Sequence, residues 1–130
     1  MTTTSKALVE AAMAQVRTLA VADAQVLLGR PGVVFVDVRE PAEGVREGRI
    51  PGARAVPRGV LEFWADASCP WHRAEVFADP AARYVLFCAI GWRSALAAQS
   101  LMQLGYADVA HIGGGFSAWR AAGAAVEPGS

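Results

Sequence analysis

Cys88, Arg93 and Ser94 stand within the stretch "CAIGWRS". A thiolate is the nucleophilic form of cysteine. An arginine adds a permanent positive charge and a rigid fork of donors. Between them lie Ala89, Ile90, Gly91 and Trp92, whose backbone N–H groups can face an anion, with Gly91 allowing the bend. The set suits a thiolate that meets a small oxyanion, or a sulfur carrying extra negative charge. A lone cysteine after an apolar run is ordinarily packing, but packing needs neither the bend nor the arginine.

The flanking segments say where this loop sits. "RYVLFC" reads as a buried strand, and "SALAAQSLMQLG" as a helix ended by Gly105. Cys88 therefore falls where a strand gives way to a helix. In open α/β sheets ligands bind at that carboxyl end. The free N–H groups of a helix start point back toward the bend and favour an anion there. The expectation is an exposed, negatively charged sulfur ringed by inward-facing amides.

The rest of the chain supplies the frame. "GVVFVDV" reads as a second strand buried on both faces, and "ADVAHI" as a third. "ARAVP" reads as a short strand closed by Pro57. Helices are expected over Ser5 to Thr18, Val21 to Leu28, near Pro41 to Val45, and in "FSAWRAAG". Arg58 to Asp79 reads as two short helices around a loop. Strands alternating with helices predict an α/β fold, a mostly parallel sheet with helices on both faces.

With "CAIGWRS" between strand and helix, three further stretches complete a resemblance. They are "FVDVRE" (Phe35 to Glu40), "EGRIPGA" (Glu47 to Ala53) and "HIGGGFSAW" (His111 to Trp119). In this order they resemble the signatures of the rhodanese-like sulfurtransferases, over about Pro31 to Gly123. The resemblance implies a rhodanese-like fold. It implies that Cys88 attacks the sulfane sulfur of a donor such as thiosulfate and carries it as a persulfide. A thiol, cyanide or protein acceptor then removes it. The residues Ala89, Ile90, Gly91, Trp92, Arg93 and Ser94 form the cradle, Arg93 contributes to donor binding, and no cofactor is required. A covalent intermediate implies ping-pong kinetics.

Two rivals follow from the same residues. One is a sulfur relay or partner-binding module with little turnover on free thiosulfate. The other is phosphatase or arsenate-reductase chemistry, found on this architecture with a longer loop. Four residues separate Cys88 from Arg93 here, one fewer than in those phosphatases. A tighter loop fits a persulfide sulfur better than a tetrahedral phosphate. The chain also departs from the family in carrying Arg49 where a histidine is frequent. Trp92 adds a bulky side chain inside the loop; pointing outward it would form an apolar rim for a larger thiol or protein.

Other residues invite a functional reading. Asp37 and Arg39 end a strand on the ligand side and serve as supporting residues, with Arg39 tethered to Glu47 or Glu43. Cys69 and His72 in "SCPWH" imitate a metal spacing, but two ligands are too few for zinc. Cys69 is a candidate resolving cysteine if the Arg58 to Asp79 segment folds over Cys88; otherwise it is a loop cysteine. Neither histidine is expected to act as a base for Cys88. Gly113 to Gly115 lacks the dinucleotide-binding spacing and reads as a tight turn.

The chain has 130 residues, 54% of them hydrophobic, and a formal net charge of zero. That fits one folded domain and argues against a broad nucleic-acid surface. No stretch reads as a signal sequence or a membrane span, so a cytoplasmic protein without membrane partners is expected. The division expected is a helical extension over 1–30, the rhodanese-like domain over 31–126, and a frayed tail over 127–130.

Overall fold

The computed structural model describes residues 2–129; Met1 and Ser130, the ends of the expected extension and tail, lie outside them. Five strands run in chain order: β1 (Arg17–Leu19), β2 (Val33–Asp37), β3 (Arg54–Ala55), β4 (Arg83–Phe87) and β5 (Asp108–Ile112). They pair in the order β1-β5-β4-β2-β3, and every pairing is parallel. The helices are α1 (Ser5–Gln15), α2 (Val21–Leu27), α3 (Pro41–Glu47), α4 (Leu61–Ala65), α5 (Ala74–Phe77), α6 (Trp92–Gln103) and α7 (Gly115–Ala121). The fold class is therefore α/β, as the alternation of segments predicts.

The apolar strand runs are long because both faces of the sheet are covered, and strand residues alternate between those faces. Tyr84, Leu86 and Cys88 join one core cluster with Val36, Val109 and the α6 residues Ala97, Ala98 and Leu101. Phe35, Val85, Phe87, Ala110 and Ile112 join the other, with Phe116 and Trp119 of α7 and Ala24 of α2. Cys88 thus faces α6 by the same period that buries Leu86.

Three local expectations are corrected. The first helix stops at Gln15 instead of Thr18; Arg17–Leu19 pair with β5 and become an edge strand. The helical extension thus contributes to the sheet, and Val16 and Leu19 are buried there. Helix α6 begins at Trp92, two residues before Ser94, because Gly91 takes the left-handed conformation (φ 105°) at its N-cap. The tail is tied back: Arg49 and Glu127 exchange both backbone hydrogen bonds at 2.9 Å, so the chain does not fray at Glu127. Among the described residues no helix is long and apolar enough to cross a membrane.

Candidate active site

Cys88 directly follows β4, a central strand, and its sulfur lies at the N-terminus of α6. Two amides point at it: Gly91 N–H at 3.2 Å and Ser94 N–H at 3.4 Å. The Ser94 hydroxyl lies 3.6 Å away, within reach of the larger sulfur atom. Of the six amides expected to face the sulfur, from Ala89 to Ser94, those of Gly91 and Ser94 bond to it, and the exposure is not as expected. Cys88 is only 1% exposed, because its side chain faces α6 and the bend closes over it.

The bend presents its amides inward because its carbonyls are occupied on the other side. Phe116 N–H donates to the Cys88 carbonyl at 2.8 Å, and Ser117 N–H donates to that of Ala89 at 3.0 Å. Both donors belong to the first turn of α7, whose N–H groups have no partner within the helix. Such close approach requires Gly115: a Cβ there would lie 2.5 Å from the Cys88 carbonyl oxygen, and φ is +61°. The glycine turn expected from "GGG" is therefore also the support of the cysteine loop.

Arg93 turns away from a free position. Its guanidinium makes two hydrogen bonds to Glu43 of α3, at 2.7 and 2.8 Å. Those bonds hold the Glu43 carboxyl down to about 2, against a burial effect that opposes ionisation. They push Arg93 up correspondingly, and the nearby Cys88 sulfur adds to that effect. Glu43 also closes the start of its own helix by accepting from Glu40 N–H at 2.8 Å. One carboxylate thus fixes both the entry of α3 and the arginine of the loop.

Arg39 does not pair with Glu47 or Glu43. It binds Asp37, two residues before it, through Nε at 3.0 Å and Nη2 at 2.8 Å, and Nη2 also reaches the Gly48 carbonyl at 2.9 Å. The pair is buried and bidentate across two residues, while Glu43 is taken by Arg93. The guanidinium also stacks 4.2 Å from the centre of the Phe116 ring. Arg39, held by Asp37, therefore meets the residue whose amide holds the Cys88 carbonyl.

Ile90 is 60% exposed and Trp92 43%, so both point outward and rim the bend. Cys69 is half-buried and unbonded, in a turn where Cys69 N–H donates to the Asp66 carbonyl. Among the described residues no hydrogen bond joins that turn to the Cys88 loop. His72 is engaged by the Trp64 carbonyl at 2.9 Å. A surface hollow of about 540 Å³ between α3 and the tail is lined by Val45 to Gly48 and Val126 to Gly129, not by the cysteine loop.

Sequence reasoning missed His111. It is completely buried and bonded at both ring nitrogens, to Ser94 Oγ through Nδ1 and to Thr18 Oγ1 through Nε2, each at 2.9 Å. Burial pushes its pKa down, which favours the neutral ring. The readable signal is its place in "ADVAHI": it shares a face with Val109, the face of Leu86 and Cys88.

Fold and site together define an α/β protein built around one cysteine held by backbone amides at the carboxyl end of a parallel strand. The chain belongs to the rhodanese-like domain family, whose profile matches residues 20–122. A sulfurtransferase of Allochromatium vinosum is 36% identical over 87 residues, covering 67% of this chain and 71% of that protein. The thiosulfate sulfurtransferase GlpE of Pseudoalteromonas translucida is 30% identical over 105 residues, covering 80% and 89%. Among solved structures, a Rhodopseudomonas palustris protein of unknown function, called a possible tyrosine phosphatase, is similar with a TM-score of 0.92. It is 43% identical, over 98% of this chain and 96% of that one.

Proposed function

We propose that the protein is a sulfurtransferase, carrying sulfane sulfur on Cys88 from thiosulfate or a persulfide donor to a thiol or cyanide acceptor. The observation that carries the reading is the pair of amides, from Gly91 and Ser94, aimed at the Cys88 sulfur. Preorganised donors stabilise a charged sulfur without rearranging during reaction. The names of the two sulfurtransferase relatives agree with it.

The cover over Cys88 sets a condition on the reaction. Cys88 is 1% exposed, so sulfur loading requires the groups that cover it to move. Ile90 and Trp92, exposed on the Ala89 to Trp92 bend, present an apolar rim to the incoming molecule. Such a rim suits a larger thiol or a protein acceptor, which is the relay form of the same activity. Arg93, already bound by Glu43, acts first as a brace of the bend and through it on donor binding. Cys69 has no part in this proposal.

Phosphatase chemistry is the second reading, favoured by the description of the Rhodopseudomonas palustris neighbour. The spacing of four residues from Cys88 to Arg93 and the Glu43 clamp on Arg93 both weigh against it. A phosphate needs that guanidinium free for bidentate contact.

Intact mass after incubation with thiosulfate tests the reading. The wild type should gain one sulfur atom, and Cys88→Ser none. Cyanide or dithiothreitol should remove the gain. Steady turnover with a small acceptor marks the enzyme; loading followed by transfer only to one protein marks the relay. Absence of any gain, combined with hydrolysis of an aryl phosphate, would favour the phosphatase.

A further inference from the structure

Two oxygens and an imidazole connect the Cys88 sulfur to the β1 edge of the sheet. From Sγ the chain runs 3.6 Å to Ser94 Oγ, 2.9 Å to His111 Nδ1, and from Nε2 another 2.9 Å to Thr18 Oγ1. The inner members are sealed: Cys88 is 1% exposed, and Ser94 and His111 0%. Thr18 is exposed, on edge strand β1. Strand register builds the line. His111 stands opposite Thr18 on one side and Leu86 on the other, and Cys88 lies one alternation beyond Leu86.

We infer that Thr18, His111 and Ser94 form a proton relay that carries the Cys88 thiol proton to solvent at β1, away from the loop through which the sulfur donor enters. The inference rests on the proposed reaction, in which the thiol becomes an anion. In the thiol state Sγ–H donates to Ser94 Oγ, Ser94 O–H donates to His111 Nδ1, and Nε2–H donates to Thr18 Oγ1. Each proton then moves one place along, and Thr18 passes its own to water. Afterward every donor points toward the sulfur. Thr18 O–H donates to Nε2, Nδ1–H donates to Ser94, and Ser94 O–H donates to the sulfur anion.

His111 stays neutral throughout and only exchanges tautomers. Its surroundings allow this. Burial alone acts on it, with no charged side chain contributing. Arg93 acts on the sulfur end and is itself held by Glu43. With thiosulfate, the Cys88 Sγ–S bond forms as the donor S–S bond breaks. Sulfite leaves with the electron pair, and one proton reaches solvent through the relay. Ser94 touches the reacting sulfur; His111 and Thr18 act through it.

Nitrogen-15 spectra of His111 read the tautomer directly. The relay requires Nε2–H when Cys88 is a thiol and Nδ1–H when it is an anion. Thiolate ultraviolet absorbance reports the cysteine state, so the comparison does not depend on sulfur loading and fails or succeeds apart from the mass experiment. The companion test is single-turnover loading by thiosulfate in Thr18→Val, which keeps the shape and removes the hydroxyl. Its proton release should slow about a hundredfold, and Thr18→Ser should restore it. One unchanging tautomer, or an imidazolium, overturns the relay. So does Thr18→Val releasing protons at the wild-type rate.

Discussion

At the scale of single residues, Glu43 has the most to say about pH. Its carboxyl titrates at about 2 instead of 4.5 because Arg93 bonds to it. A depressed folded-state value means that the tether adds stability above about 4.5 and loses it as pH falls toward 2. Arg93 is partly exposed, so solvent screens the pair and its value lies more in geometry than in stability. In urea unfolding across this range, wild type should exceed Glu43→Gln by a margin that is constant at neutral pH and vanishes in strong acid. A margin indifferent to pH would mean that the ion pair contributes nothing. Sulfur loading from thiosulfate should weaken in Glu43→Gln at neutral pH, because Arg93 then loses the charged partner that fixes the loop. Rates of mass gain check this.

Elements act on the sulfur through their ends. Helix α6 supplies the amide of Ser94, and the turn before it supplies Gly91. Helix α7 supplies two amides to the carbonyls behind the bend. Gly115→Ala tests that second support. The added methyl meets the backbone of Cys88 and Ala89, and a left-handed φ costs a side chain roughly 1–2 kcal/mol. We expect a lower urea midpoint together with a large loss of sulfur loading, because α7 must retreat and release the bend. A variant that unfolds earlier but loads at the wild-type rate would show that the bend holds itself. Strand β5 shows how little of this was visible locally. "ADVAHI" reads as a strand, yet what His111 touches depends on which strands lie beside it.

Across the whole molecule, residues 2–19 complete both the sheet and the site. Val9 and Ala12 of α1 pack on Ala95 of α6, and β1 covers the edge of β5. Val9, Val16 and Leu19 are buried, and each such side chain is worth about 1.5–3 kcal/mol. Against a total stability of roughly 5–15 kcal/mol for a domain, removing them takes a large share. Deletion of the first 19 residues should therefore lower the urea midpoint sharply and favour association through the bared β5 edge. Size-exclusion chromatography and unfolding curves measure both; an unchanged elution volume and midpoint would refute the role given to β1.

What the amino-acid sequence determined by itself is everything carried by short range. It located the strand-to-helix junction at Cys88, the glycine bend and the parallel alternation, because period and turn chemistry are written in neighbouring residues. It paired Arg39 with the wrong carboxylates and exposed the sulfur too freely, because those depend on what arrives from elsewhere. The tertiary structure alone decided that Glu43 clamps Arg93, that α7 braces the bend, and that Thr18 and His111 line up behind Ser94. Such contacts join residues as many as 93 positions apart. Sheet order and register set them, and no local pattern encodes which strand will lie beside which.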